Sequence, residues 1–82
     1  MNEHELNSFL YRTLAQSGDW MTFDQLDRLL AKAAPELRCE VRRSMLRGEL
    51  GRMIRNGSIL RDKRQPSYRI GDDVNLFDQT NN

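Results

Sequence analysis

Arginines are the side chains in this sequence with the clearest chemistry, and they are clustered. The stretch NGSILRDKRQPSYRI, residues 56–70, has two short runs around a basic tip that contains Arg61, Lys63 and Arg64. A guanidinium presents a planar fork of N–H donors that matches carboxylates, phosphates and the edge of guanine. Charge at a hairpin tip adds nothing to a hydrophobic core, so it is either solvated or meets a negative partner. The chemistry indicated is recognition of an anion.

Positive charge is concentrated in one block, although the net charge of the chain is only +1. Residues 38–69 hold ten basic and three acidic side chains, a net of +7, and nine of the ten are arginines. Residues 1–37 and 70–82 each carry a net of −3. Ten cations are difficult to neutralise with three anions, so the block predicts an acidic partner. The simpler alternative is a solvated face with local salt bridges.

Nothing in the sequence indicates catalysis. His4 and Cys39 are the only residues of their types, and together they do not make a zinc site. The stretch RGELGR lies inside a helical pattern rather than after a strand, so it is not a phosphate-binding glycine loop. We expect no enzyme activity, no metal and no cofactor.

The length of the chain allows one domain with a modest core. The single Cys39 excludes an internal disulfide. No stretch has the apolar length of a membrane span, and the N-terminus has no hydrophobic signal region. We expect a soluble cytoplasmic protein with one domain over residues 1–72 and a partly disordered tail over 73–82.

Two helices are predicted in the first half of the chain. The first has an apolar stripe and stops at Gly18. The second begins at Phe23, because Thr22 and Gln25 have the spacing of a capping box, and stops near residues 32–34 before Pro35. Trp20 and Met21, just before this cap, are predicted to form a very short strand. The stripes are Leu6, Phe9, Leu10 and Leu14 in the first helix, and Phe23, Leu26, Leu30 and Ala33 in the second.

A third helix and a hairpin are predicted in the second half. The helix begins between Pro35 and Arg42 and ends at the Asn56–Gly57 pair. Leu37 and Val41 are assigned to a turn before it. The hairpin returns through Tyr68 and Ile70 after a loop of four to six residues that contains Pro66. The apolar stripe of the helix is Leu46, Leu50, Met53 and Ile54.

The order helix, short strand, helix, helix, hairpin resembles the winged helix-turn-helix superfamily of small bacterial and phage regulators. The resemblance is carried by residues 22–30, by LRGELGRMIRNGSI and by the returning YRI, and it covers roughly residues 5–70. It implies an α+β winged helix, a three-helix bundle with a C-terminal β-hairpin wing. It also implies that the third helix enters the major groove of double-stranded DNA while the wing contacts a phosphate or the minor groove. The expected function is transcription regulation by occupancy of a DNA site.

The resemblance implies that the DNA-binding residues lie on the third helix, above all near its start, and on the wing. A step of 100° per residue around the helix then indicates which of its arginines face outward. With Leu50 at the centre of the buried stripe, Arg52 and Arg55 point outward, while Arg43 and Arg47 lie at the edge of the core. We expect the separated cations to converge into one continuous surface. The candidates are Arg42, Arg43, Arg47, Arg52 and Arg55 on the helix and Arg61, Lys63 and Arg64 on the wing.

Several alternatives remain at this point. The connection KAAPELRCEV is longer than a compact helix-turn-helix needs, which favours a protein-interaction module, an inhibitor or adaptor of a host protein. RNA binding is a third possibility. Gly48 and Gly51 indicate either close approach of another backbone or a weak helix. A single module makes a small DNA interface, so a homodimer or protein partner is expected, with the Leu76–Phe77 tail or the acidic ends as its contact.

Overall fold

The computed structural model describes residues 1–71, and they form three helices and one three-stranded antiparallel sheet. This confirms the predicted α+β class and the predicted order of elements. The tail expected over residues 73–82 lies outside the described residues. The elements are α1 (Glu3–Ser17), β1 (Met21–Thr22), α2 (Phe23–Ala33), α3 (Cys39–Arg55), β2 (Ile59–Arg61) and β3 (Ser67–Ile70).

The predicted capping box at the start of α2 is confirmed. Thr22 Oγ1 accepts a hydrogen bond from the Gln25 backbone N–H at 3.1 Å, and Gln25 Oε1 accepts one from the Thr22 N–H at 2.8 Å. Two otherwise unpaired donors of the first turn are thereby satisfied. Asn2 and Glu5 form the same box at the start of α1, which was not predicted. Gly18, at φ 66°, ends α1 in the left-handed conformation as expected.

Two element boundaries differ from prediction. The short strand is Met21–Thr22 rather than Trp20–Met21, because its register pairs Met21 with Tyr68 and Thr22 with Ser67. Val41 is not part of a turn: α3 begins at Cys39, within the predicted window, and Val41 lies exposed in its first turn.

The strand β3 lies in the middle of the sheet, between β1 and β2. Met21, Tyr68 and Arg61 are directly opposite one another across the three strands, so their side chains share one face. The next row places Leu60 opposite Arg69 on the other face. The hairpin loop has five residues, 62–66, within the predicted range. It is tied to α2 by a hydrogen bond from the Phe23 N–H to the Pro66 carbonyl at 2.9 Å.

The core lies where the three helices and the inner face of the sheet meet. The predicted stripes supply most of it, but Ala33 is exposed and Ala34 is buried in its place. Each fully buried leucine stabilises the fold by about 1.5–3 kcal/mol relative to an exposed one. The buried set is Leu6, Leu10, Leu14, Leu26, Leu30, Ala34, Leu46, Leu50, Met53, Ile59 and Tyr68.

Candidate functional site

A cleft of about 590 Å³ lies between α3 and the β2–β3 hairpin, with the first turn of α2 at one side. We call it the α3–hairpin cleft. It combines three arginines with an apolar floor, and one carboxylate, Asp24, stands at its rim. The arginines are Arg43, Arg47 and Arg61, and the apolar lining is Phe23, Ile54, Pro66 and Tyr68.

Two of these arginines stack on one aromatic ring. The guanidinium carbon of Arg43 lies 4.9 Å from the centroid of the Phe23 ring, and that of Arg47 lies 5.5 Å from it. A cation over a ring face is attracted by the ring quadrupole, so Phe23 holds both heads at the cleft. This confirms that Arg43 and Arg47 run along the edge of the core. The role of Phe23 was missed, because its spacing marks it only as part of the apolar stripe of α2.

Arg61 reaches the cleft because of strand alternation. It is the last residue of β2 and faces Tyr68 across the ladder, on the sheet face that lines the cleft. Its neighbour Leu60 points to the opposite face and is 47% exposed. The arginine from the hairpin and those from α3 therefore meet, although they are distant in sequence.

Arg42 does not lie on an open surface, and this corrects its expected placement. Its Nε and Nη2 donate hydrogen bonds to the two carboxylate oxygens of Asp27, at 2.7 and 3.2 Å. Asp27 is buried and also accepts a bond from Arg43 Nη1 at 3.0 Å. The hydrogen bond from Arg42 is the main cause that lowers the pKa of Asp27, against burial, which raises it. Arg42 therefore joins α2 to α3.

Arg52 points outward as expected, with 49% of its side chain exposed, but it has a partner that was not expected. It faces the α1 side, where it pairs at 2.9 Å with Glu49, a buried carboxylate that also accepts a hydrogen bond from Asn7 at 2.8 Å. Burial raises the pKa of Glu49, but the hydrogen bonds from Arg52 and Asn7 and the charge of Arg52 outweigh it and leave that pKa lowered. Glu49 and Arg52 are three residues apart on α3, a spacing at which helix side chains meet, so this ion pair could have been predicted. The hydrogen bond from Asn7 could not, because Asn7 and Glu49 are 42 residues apart.

The remaining candidate side chains are more exposed to solvent. Arg55 is exposed on α3, and Lys63 is exposed on the hairpin tip. The side chain of Arg64 is 94% exposed and lies 3.9 Å from Asp62, whose Oδ1 accepts a hydrogen bond from the Arg64 backbone N–H. Within residues 1–71, no carboxylate lies within ion-pair distance of four candidates: Arg47, Arg55, Arg61 and Lys63.

The basic block therefore converges only in part. Asp24, Asp27 and Glu49 pair with three of the eight candidates, and Asp62 lies 3.9 Å from a fourth, Arg64. The continuous cationic surface is therefore smaller than expected. The cations that stay available for a partner are centred on the α3–hairpin cleft. Arg47 and Arg61 line the cleft and have no carboxylate partner among the described residues, and Arg55 and the hairpin tip flank it.

No family model, curated protein or solved structure matches the chain. None of the helices in the described part of the chain is long and apolar enough to cross a membrane. The same residues contain no group of three His, Cys, Asp or Glu side chains placed to hold a metal ion.

Proposed function

We propose that this protein is a winged-helix protein that binds double-stranded DNA through α3 and the β2–β3 hairpin, as a transcription regulator. The observation that carries the proposal is the convergence of Arg47 and Arg61, from different elements, on one cleft. The hairpin is the wing in this proposal, and α3 is the helix that approaches the groove.

The physical argument is electrostatic. Duplex DNA carries a dense row of phosphates with condensed counterions, and each phosphate that a cation neutralises releases counterion into solution. A cleft between a helix and a hairpin suits one strand of the backbone, because the cations on its two walls reach phosphates from both sides. Gly51 lines the cleft, and the exposed Arg55 lies next to it, so this part of α3 would turn toward the bases.

Binding to a protein is the second candidate, and the apolar floor of the cleft favours it. Phe23 and Ile54 are half-buried, while Pro66 is exposed, so the cleft offers apolar contact area as well as charge. A DNA backbone does not use such a floor. An acidic protein segment with large apolar side chains would use both features.

Binding of a fluorescent duplex of random sequence, measured by anisotropy at several salt concentrations, tests the proposal. A DNA-binding protein gives an affinity that falls linearly with salt on logarithmic axes. Selection from a random duplex pool at two salt concentrations then tests for sequence preference. An affinity that is absent, or independent of salt, would reject DNA as the partner. Parallel titrations with single- and double-stranded RNA separate the two kinds of nucleic acid.

A further inference from the structure

We infer that the α3–hairpin cleft is a receptor for a peptide that combines carboxylates with large apolar side chains, and that residues 72–78 of the same chain are its occupant. The inference rests on the proposed function in one respect only, since the peptide would compete with DNA for this cleft. Occupancy of the cleft by the peptide does not itself require DNA.

The cleft suits such an occupant because it combines cationic and apolar surface. Arg47 and Arg61 stand on opposite walls and have no carboxylate within ion-pair distance among residues 1–71. Between them lies apolar surface from Phe23, Ile54 and Pro66. A simple anion would pair with the arginines but leave the apolar floor of the cleft exposed to water. An uncharged apolar segment would cover the floor but bury the arginines without partners, which costs desolvation free energy.

The tail has the complementary chemistry in a short space. Residues 72–78 read DDVNLFD, so two carboxylates precede an apolar group and a third follows it. Its net charge of −3 opposes the net of +7 over residues 38–69. Leu76 and Phe77 supply side chains large enough to cover an apolar floor. Carboxylates on both sides of the apolar group match cations on both walls of the cleft.

The tail also starts close enough to reach the cleft. Gly71 is buried, and its backbone N–H donates to the Ser58 carbonyl at 3.0 Å, at the junction of α3 and β2. Tyr68, which lines the cleft, is three residues earlier, roughly 10 Å along a strand. The six residues from 72 to 77 span up to roughly 20 Å when extended. A tethered segment of this length has an effective concentration in the millimolar range, so weak contacts suffice.

The outer face of the sheet is a poorer receptor for the same segment. Trp20 and Leu60 are partly exposed there, but the row contains one cation, Arg69, whose guanidinium carbon already lies 5.6 Å from the Trp20 ring centroid. One cation does not match three carboxylates. The charge of the tail therefore favours the cleft.

Paramagnetic relaxation measured by NMR on the full chain tests the occupant without DNA. A nitroxide is attached at Thr80→Cys in a Cys39→Ser background, and amide signals are compared with the reduced label. We expect loss of the Gly51, Ile54 and Tyr68 signals at low salt and their recovery at high salt. Loss confined to Trp20, Leu60 and Arg69, or no selective loss, would overturn the inference. So would loss that appears only between labelled and unlabelled copies in a mixture, because the occupant would then be a second copy.

Two full-length variants connect the occupant to DNA. Asp72→Asn, Asp73→Asn and Asp78→Asn together remove the charges, whereas Leu76→Ser with Phe77→Ser removes the apolar group and leaves the net charge unchanged. Both should abolish the paramagnetic effect and tighten duplex binding severalfold at low salt. If only the first variant binds the duplex more tightly, the effect comes from net charge, and the proposal that the apolar floor of the cleft binds the tail is rejected. If the wild type shows the paramagnetic effect but binds no duplex, the proposed function is rejected and the peptide receptor is supported. If it binds duplex without the paramagnetic effect, the peptide receptor is rejected and the proposed function is supported.

Discussion

Arg42 and Asp27 form a two-point ion pair between α3 and α2, with Nε to Oδ1 at 2.7 Å and Nη2 to Oδ2 at 3.2 Å. The side chain of Arg42 is 14% exposed and that of Asp27 is 9% exposed, so water competes little for either partner. An arginine that the sequence assigned to DNA therefore holds two helices together. This pair fixes the position of α3 relative to α2, and with it one wall of the α3–hairpin cleft.

Replacing Asp27 by alanine should lower the free energy of unfolding by about 3 kcal/mol, because it leaves Arg42 in a largely buried place without its partner. Urea unfolding followed by circular dichroism measures the change. Arg28→Ala is the control on the same helix, at an exposed position, and we expect it to stay within about 0.5 kcal/mol of the wild type. Equal stabilities for the two variants would show that the pair has no structural role.

Arg42→Ala should weaken duplex binding only as far as it lowers the folded fraction. Because its guanidinium is engaged with Asp27, it contributes no direct phosphate contact in our account. The measurement is duplex affinity at a temperature where the variant is fully folded by circular dichroism. A folded Arg42→Ala protein with a reduced salt slope would show that Arg42 leaves Asp27 to contact DNA.

Stability should fall in acid because Asp27 and Glu49 have lowered pKa values in the folded protein. A carboxyl whose folded pKa lies below its unfolded pKa contributes stability that is complete above the unfolded value and is lost as pH falls through the folded value. The urea midpoint should therefore be flat above roughly pH 5 and decline from about pH 4 downward. Asp27→Asn should start lower and decline less steeply. A variant with the same acid decline as the wild type would contradict the assignment of Asp27.

Gly48→Ala and Gly51→Ala form a matched pair that separates the two interpretations of the glycines. An added Cβ at position 48 meets no atom within 4 Å, and one at position 51 is 3.6 Å from Arg55 Nη1, an ordinary contact. Each alanine should stabilise α3 by up to about 1 kcal/mol through helix propensity. Only Gly51 lines the α3–hairpin cleft, while Gly48 lies on the α1 side with Arg52.

If a backbone approaches α3 closely at the cleft, Gly51→Ala should weaken duplex binding and Gly48→Ala should not. Thermal unfolding and duplex anisotropy on both variants give the two readouts. If both variants are more stable than the wild type and bind duplex equally well, the glycines only weaken the helix and do not admit another backbone.

Local signals predicted most of the fold. The capping box of Thr22 with Gln25, the stop at Gly18 and the boundary before Pro35 each depend on residues a few positions apart. Such signals act within one turn of backbone, so they survive whatever packs around them. The strand at Met21 was displaced by one residue, because its register is set by a partner 47 positions later in the chain, Tyr68.

The pairing of α2 carboxylates with α3 arginines was not predicted, and the reason is distance along the chain. Asp27 and Arg42 are 15 residues apart, and no period or motif connects them. Counting charges within residues 38–69 omitted Asp24 and Asp27, which approach from α2. The convergence of Arg61 with Arg47 was the part that could be predicted, since it follows from the position of the hairpin beside α3.

The salt dependence of duplex binding by Arg47→Ala with Arg61→Ala tests the central claim most directly. The control is Arg12→Ala with Arg28→Ala, which removes the same charge from exposed positions outside the α3–hairpin cleft. If the cleft holds phosphates, the slope of log affinity against log salt should fall by about 2 in the cleft variant, roughly 1 per lost phosphate contact. The control should keep the slope of the wild type. Equal slopes in all three proteins would contradict the assignment of this cleft to DNA.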